Sequence, residues 1–269
     1  MQKLKSAIRR NPRLKWHYKK LYRLKKALGR VIRYGSSMGC SYLVLDEQKV
    51  VYIVMQKAAC TSIKASMTGL QSGEDYLSVH EMIRRTGHVL TRLDPEAHRG
   101  YYIFTFVRNP FERLISCYEN KYHTDRENRD FTKQDTRMKY DDYLLGYLSK
   151  DQGFRAFARR VCRIPDRLAD NHFVSQSFII GRSGPKLRPD FVGHFERLEE
   201  EYEPIRQRYG FIPLPHYNPT PKAASWMDYY DLPTARKVYR RYRQDIERFG
   251  YRDTYDALIR YLSSKEPKS

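Results

Sequence analysis

The chain has 269 residues, enough to bury one substantial core with room for a small accessory segment. A hydrophobic content of 41% excludes a disordered chain. Four cysteines, with no C-x-x-C pair and no Cys/His cluster at zinc spacing, exclude a disulfide scaffold and a zinc module.

The formal net charge is +20, and it is unevenly placed. Residues 1–34 hold 13 Lys or Arg and no acid, while the remainder has 38 basic against 31 acidic residues, +7. Leu14, Tyr18, Leu21, Leu28 and Ile32 recur near helical spacing among those cations, and Asn11-Pro12 suits a helix start. The pattern predicts a basic helical arm over residues 1–35. Such an arm packs one face on the body, or contacts an anionic membrane or polyanion. No apolar run approaches the ~18 residues of a membrane span, and the first residues lack the apolar core of a signal peptide. The expectation is a cytoplasmic protein in a reducing compartment, peripheral to the membrane if the arm docks there. A Golgi-lumen location would require an N-terminal anchor to have been removed.

After a Gly35–Gly39 linker, one domain is expected over residues 36–265. Tyr42–Leu45 reads as a short strand and Asp46–Lys49 as a turn. The β-branched run Val50, Val51, Ile53, Val54 stops at Gln56, and Lys57-Ala58-Ala59-Cys60-Thr61-Ser62 follow. Ile63, Met67 and Leu70 then recur at helical spacing. This is strand, tight loop, helix, an arrangement that gathers backbone N–H groups and a positive helix end at one point. Lys57 adds a charge, and Thr61 and Ser62 add hydroxyls, so the loop is a candidate phosphate or sulfate cradle. It is not a P-loop, because G-x-x-x-x-G-K-[ST] is missing and no glycine falls between Gln56 and Met67. That argues against a metal-dependent nucleotide kinase.

Residues 71–100 are polar, with a short helix expected near Val79–Arg85; His80, His88 and His98 fall here. Tyr101–Val107 is the clearest buried strand. Arg108-Asn109-Pro110 ends it, and Phe111, Leu114, Ile115 and Tyr118 trace a helical face. Arg108 therefore stands at the carboxyl end of a strand, where open parallel sheets bind ligands. Ser116 lies two turns into the helix. Singly, these two residues read as a strand-end salt bridge and a helix hydroxyl. Together with Lys57 they suit a ligand bearing two separated anionic groups.

Further on, residues 123–140 read as a charged surface loop. Helices are expected at Tyr140–Leu148, Gly153–Val161, Leu198–Tyr209 (closed by Gly210) and Pro233–Phe249. A third strand is expected at Asp190–Phe195 and an extended loop at Ile212–Lys222. Strands separated by helices predict an α/β fold with a central, mostly parallel sheet flanked by helices.

Several motifs in order resemble the family 2 carbohydrate sulfotransferases, in particular the chondroitin/dermatan-type branch. QKAACTS at Gln56–Ser62 is similar to the family's P-K-x-A-C-T-N loop, and FTFVRNPFERLISCY at Phe104–Tyr118 to its arginine-centred segment. DNHF at Asp170–Phe173, FVGHFERLEEE at Phe191–Glu201, HYNPTPK at His216–Lys222 and DIERFGY at Asp245–Tyr251 resemble its later elements. The likeness runs from about residue 50 to 251. The chain departs from the pattern at Gln56, where Pro is usual, at Ser62 (Asn) and at Ile63 (Trp), and the transmembrane anchor usual in that branch is not expected here.

The resemblance implies a sulfotransferase fold, similar to P-loop NTPases but lacking a Walker A motif. It also implies the donor 3′-phosphoadenosine 5′-phosphosulfate, with no metal required. Lys57 and the backbone of Ala58, Ala59, Cys60, Thr61 and Ser62 would grip the 5′-phosphosulfate, and Arg108 and Ser116 the 3′-phosphate. The acceptor would be a hydroxyl of a carbohydrate, anionic or membrane-linked. Lys57 would neutralise the leaving phosphate, and a base would take the acceptor's proton. His80 and His88 are the two candidates for that base, with Glu196 behind them. The competing reading is a non-catalytic polyanion or nucleic-acid binder using the basic arm. No nucleic-acid module is recognisable, so nucleic acid is an unlikely partner.

Overall fold

The computed structural model describes residues 41–70, 85–122, 152–215 and 225–265, together with residues 11, 18, 21, 22, 29, 82, 83, 147 and 148. Most of the 1–35 arm, His80, the 123–140 loop, most of the Tyr140–Leu148 helix and the 216–222 part of the extended loop lie outside the described residues.

Five short strands form one sheet: β1 (Tyr42–Leu45), β2 (Val50–Ile53), β3 (Val89–Leu90), β4 (Tyr102–Val107) and β5 (Phe191–His194), in the order β3-β1-β2-β4-β5. The β2–β4 and β4–β5 pairings are parallel, and β1 pairs antiparallel with both β2 and β3. The sheet is thus mixed, with a parallel centre. β1 and β2 are buried along their full length. That is why they read as continuous apolar runs rather than alternating ones.

Helices cover both faces. One face of the sheet (Leu43, Val50, Tyr52, Phe104, Phe106) packs on α1 (Cys60–Thr68) and α5 (Leu198–Tyr209). The other (Tyr42, Val51, Ile53, Ile103, Val107) packs on a larger set. That set comprises α2 (Pro110–Lys121), α3 (Phe154–Val161), α4 (Gln176–Gly181), α6 (Leu232–Arg241), α7 (Arg243–Arg248) and α8 (Arg252–Ser264). On the first face the Tyr52 and Phe104 rings stack at 5.2 Å, and Phe104 meets Phe106 edge-on. Such pairs contribute about 0.5–1.5 kcal/mol each beyond area burial. Gly193 is fixed by this packing, because a Cβ there would fall 2.4 Å from the Phe106 ring.

Several elements differ from the sequence expectation. α1 begins at Cys60, so Thr61 and Ser62 are first-turn helical residues and the loop is shorter than read. The helix expected over Pro233–Phe249 is broken at Tyr242, whose backbone (φ −111°, ψ 22°) leaves the helical region. The Tyr242 hydroxyl donates to the Phe173 carbonyl at 2.5 Å, and Asp245 on α7 is aimed at the start of α4. These tertiary bonds override the local helical pattern. β3, α4 and α8 were not anticipated.

Candidate active site

β2, β4 and β5 run parallel, so their carboxyl ends meet at one edge of the sheet. The Gln56–Ser62 loop follows β2, Arg108 follows β4, and Glu196 follows β5.

In the loop, Lys57 (φ 68°) and Ala59 (φ 53°) both take the left-handed conformation without being glycine. Each costs roughly 1–2 kcal/mol, which the surrounding contacts must offset. The Cys60 thiol donates to Gln56 Oε1 at 3.2 Å, so the Gln56 side chain ties the loop to the helix start. Ala59 occupies the N-cap of α1 and offers no capping side chain, and no acid lies in the first turn. The leading N–H groups of a helix have no intrahelical acceptor, and left-handed residues ahead of them form a concave, anion-seeking backbone. Thr61 and Ser62 are buried, as is Ala58.

Arg108 is nine-tenths buried and crosses from β4 toward this loop. Its Nη1 donates to the Lys57 carbonyl at 3.2 Å, its Nη2 lies 3.6 Å from Glu112, and its guanidinium stacks 4.2 Å above the Phe195 ring. Its Nε is buried without a hydrogen-bond partner. Burial pulls the guanidinium below its usual pKa range, and Glu112 and Glu196 offset part of that. Ser116 is buried on α2, one turn beyond Glu112 on the same helix face. Lys57 and Arg108 therefore converge on one edge, joined through the loop backbone.

The structure supplies three bracing residues that the sequence reading did not single out. The Gln176 side chain accepts from the Arg108 N–H at 2.9 Å and donates to the Arg108 carbonyl at 2.8 Å. Asp245, fully buried, accepts from the Gln176 and Ser177 N–H groups at 2.7 and 2.8 Å and so anchors the start of α4. Burial raises its pKa, opposed by those same N–H groups and by Arg113. Arg113 is the third. It donates to the carbonyls of Gln56 (Nε, 2.9 Å), Val174 (Nη1, 2.7 Å) and Asn171 (Nη2, 3.0 Å), locking the loop to the Asp170–Ser175 turn. Asp245 and Arg113 sit within motifs visible in the sequence, but Gln176 carries no signal of its own.

Of the candidate bases, Glu196 accepts from the Asn109 N–H at 2.7 Å and from the Tyr251 hydroxyl at 2.9 Å. One oxygen thus holds the end of β4 and the other the residue that precedes α8. Burial, then the Glu196 charge, push the Tyr251 pKa up. The His88 carbonyl accepts from Val44, the partner of Val51 in β2. His88 therefore lies two strands from β2 and below the loop. His80 is outside the described residues. A cleft of about 740 Å³ flanks β5, lined by Val192, His194, Arg197, Arg248 and Tyr251. Among the described residues, no group of three His, Cys, Asp or Glu is arranged to hold a metal. No helix there is long and apolar enough to cross a membrane.

The Sulfotransferase family model matches residues 41–252. The chain belongs to this sulfotransferase family. Its relatives include carbohydrate sulfotransferase 11 of Mus musculus, 25% identical over 267 residues, a match covering 85% of this chain and 72% of that protein. Carbohydrate sulfotransferase 14 of Danio rerio is 28% identical over 236 residues, covering 78% of this chain and 61% of that protein. The human carbohydrate sulfotransferase 14 is 29% identical over 195 residues, covering 68% and 50%. No solved structure matches. The family expected from the ordered motifs is therefore the one found, and the matched span of this sulfotransferase contains both the Gln56–Ser62 loop and Arg108.

Proposed function

We infer that this sulfotransferase moves a sulfuryl group from 3′-phosphoadenosine 5′-phosphosulfate to a hydroxyl of a carbohydrate. The observation that carries the reading is the buried, unpartnered Nε of Arg108 beside an uncapped helix start. A buried guanidinium N–H without an acceptor is costly, and a phosphate oxygen would satisfy it. The donor supplies an activated sulfuryl group with a good leaving phosphate. Lys57, with the backbone of Ala58–Ser62, holds the phosphosulfate end, and Arg108 with Ser116 holds the 3′-phosphate. Lys57 offsets the charge that grows on the leaving oxygen, a role in which a mobile point charge suffices. Left-handed Lys57 and Ala59 fix the loop before substrate arrives, so little reorganisation is needed during transfer.

The carbohydrate acceptor is supported by the names of the relatives. Its anionic character, the two-part organisation (arm 1–35, domain 36–265), and a cytoplasmic or membrane-peripheral location belong to the same proposal. The polyanion-binder reading rests on an arm that lies mostly outside the described residues. Incubation with ³⁵S-labelled donor and a panel of desulfated chondroitin, dermatan and heparan chains, with phenols and peptides alongside, tests the reading. The expected result is label in at least one glycan. Transfer to phenols or peptides alone would overturn the carbohydrate acceptor, and no donor turnover at all would overturn the enzyme.

A further inference from the structure

We propose that His172, oriented by Asp170, is the base that accepts the proton of the acceptor hydroxyl; this rests on the sulfuryl-transfer reading above. Such a base must stand beside Lys57 at the carboxyl edge of the sheet. The described residues include four histidines: His88, His98, His172 and His194. His88 immediately precedes the outermost strand, and its carbonyl accepts from Val44, level with Val51. His98 lies in the turn that precedes β4, at the opposite edge, with Nδ1 2.8 Å from the Asp94 carbonyl. His194 has Nε2 3.1 Å from the Phe249 carbonyl and Nδ1 3.5 Å from Glu201.

The turn that carries His172 is joined to the donor loop through Arg113. Nε and Nη2, the two nitrogens on one edge of the Arg113 fork, reach the Gln56 carbonyl (2.9 Å) and the Asn171 carbonyl (3.0 Å). Those two carbonyls are therefore neighbours. Lys57 is the residue after Gln56, and His172 is the residue after Asn171. The turn that carries His172 is held from both sides. Tyr242 donates to the Phe173 carbonyl, Arg113 Nη1 to the Val174 carbonyl, and Ser175 to Asp166 through both its N–H and its hydroxyl.

The ring itself is oriented. Asp170, whose side chain is 4% exposed, accepts from the His172 backbone N–H at 3.0 Å and meets ring Nδ1 through the same oxygen. With Asp170 ionised, and so an acceptor only, the tautomer that fits has the hydrogen on Nδ1 and makes Nε2 the basic nitrogen. The His172 side chain is 15% exposed, open enough to be reached and shielded enough for the Asp170 charge to act on it.

In the step proposed, the acceptor O–H bond breaks and its proton passes to Nε2 as that oxygen bonds to sulfur. The sulfur–oxygen bond to the 5′-phosphate breaks, and its electron pair stays on the phosphate oxygen beside Lys57. Asp170 then stabilises the imidazolium. Among the described residues, the charged and titratable groups on the elements packed around the turn include Asp170, Arg113, Cys117, Lys57, the Asp166–Arg241 pair, Tyr242 and Asp245.

The test uses the full chain, with His172→Gln, His172→Asn and Asp170→Asn. Sulfuryl transfer from labelled donor is followed both to desulfated chondroitin and to water. Stabilisation by adenosine 3′,5′-bisphosphate is measured alongside. For both His172 variants kcat should fall at least about 100-fold while the bisphosphate shift in Tm persists. In Asp170→Asn the acidic limb of the kcat profile should move to lower pH, because the imidazole loses its carboxylate partner. A His172 variant within threefold of the parent, or an unmoved limb in Asp170→Asn, would overturn the assignment while leaving donor binding in place. A parent chain that neither binds the bisphosphate nor turns over donor would instead remove the sulfotransferase reading on which it stands.

Discussion

Arg108 is held at more points than a strand-end cation needs. Gln176 binds both of its backbone polar groups, Phe195 lies under its guanidinium, and the Lys57 carbonyl takes one of its donors. A side chain fixed this tightly loses little freedom on meeting a phosphate, which is how a buried arginine becomes a specific anion reader. Gln176→Ala should therefore act on two levels. It leaves the Arg108 N–H and carbonyl buried without partners, at about 1–3 kcal/mol each. A fall in unfolding free energy of roughly 2–5 kcal/mol in urea is expected, together with weaker bisphosphate binding. Unchanged stability would show that water reaches these groups. None of this was legible in the residue string. Arg108 stood out through its place after an apolar strand, but the side chain that holds its backbone comes from 68 positions downstream, and no local pattern announces a glutamine that will reach back so far.

At the scale of elements, the loop and α1 form one unit whose conformation is unusual for its sequence. Position 59 is left-handed (φ 53°) and occupied by alanine. Ala59→Gly removes the Cβ clash and should be neutral to stabilising by up to about 1 kcal/mol. Ala59→Val places a β-branched side chain in that region and should destabilise by more than 1 kcal/mol on the same physical ground. Thermal or urea unfolding of the pair checks this, and equal effects from the two variants would contradict the loop geometry. The elements themselves were unevenly visible. β2, β4, α2 and α5 carry long apolar patterns or clear caps, and they appear where expected. β3 is two residues long, below the reach of any periodicity. The absence of glycine in the loop concealed its left-handed turns. The break at Tyr242 was hidden because a helical pattern runs through it, and only the anchoring of Tyr242 and Asp245 against the 173–177 segment interrupts it.

For the whole molecule, carboxylates tie the layers together and set the response to acid. Asp166 lies between Arg241 at 2.5 Å and Ser175. Burial works to raise its pKa, but Arg241 and Ser175 outweigh that and hold it below the ordinary aspartate value. Asp231 caps α6 and meets Arg159 at 2.7 Å; burial again opposes, and Thr234 and Arg159 prevail in holding it low. A carboxylate depressed in the folded state contributes stability that is complete above its unfolded pKa, near 4, and is lost as pH falls through the folded value. Asp245 is shifted the other way and gives the opposite trend. Urea midpoints measured from pH 7 to pH 3 should decline steeply below about pH 4, and the decline should be shallower in Asp166→Asn. An identical slope in the variant would show that this pair does not couple to acid unfolding.

On the proposed reading, one edge of the sheet holds both anionic ends of a single ligand. Isothermal titration of the full chain with adenosine 3′,5′-bisphosphate, without divalent metal, tests it most directly. Saturable binding is predicted, weakened at least about tenfold (1.4 kcal/mol) in both Lys57→Ala and Arg108→Ala, with inorganic phosphate unable to reproduce it. Absence of binding by the parent chain, or equal binding by parent and both variants, would contradict the account.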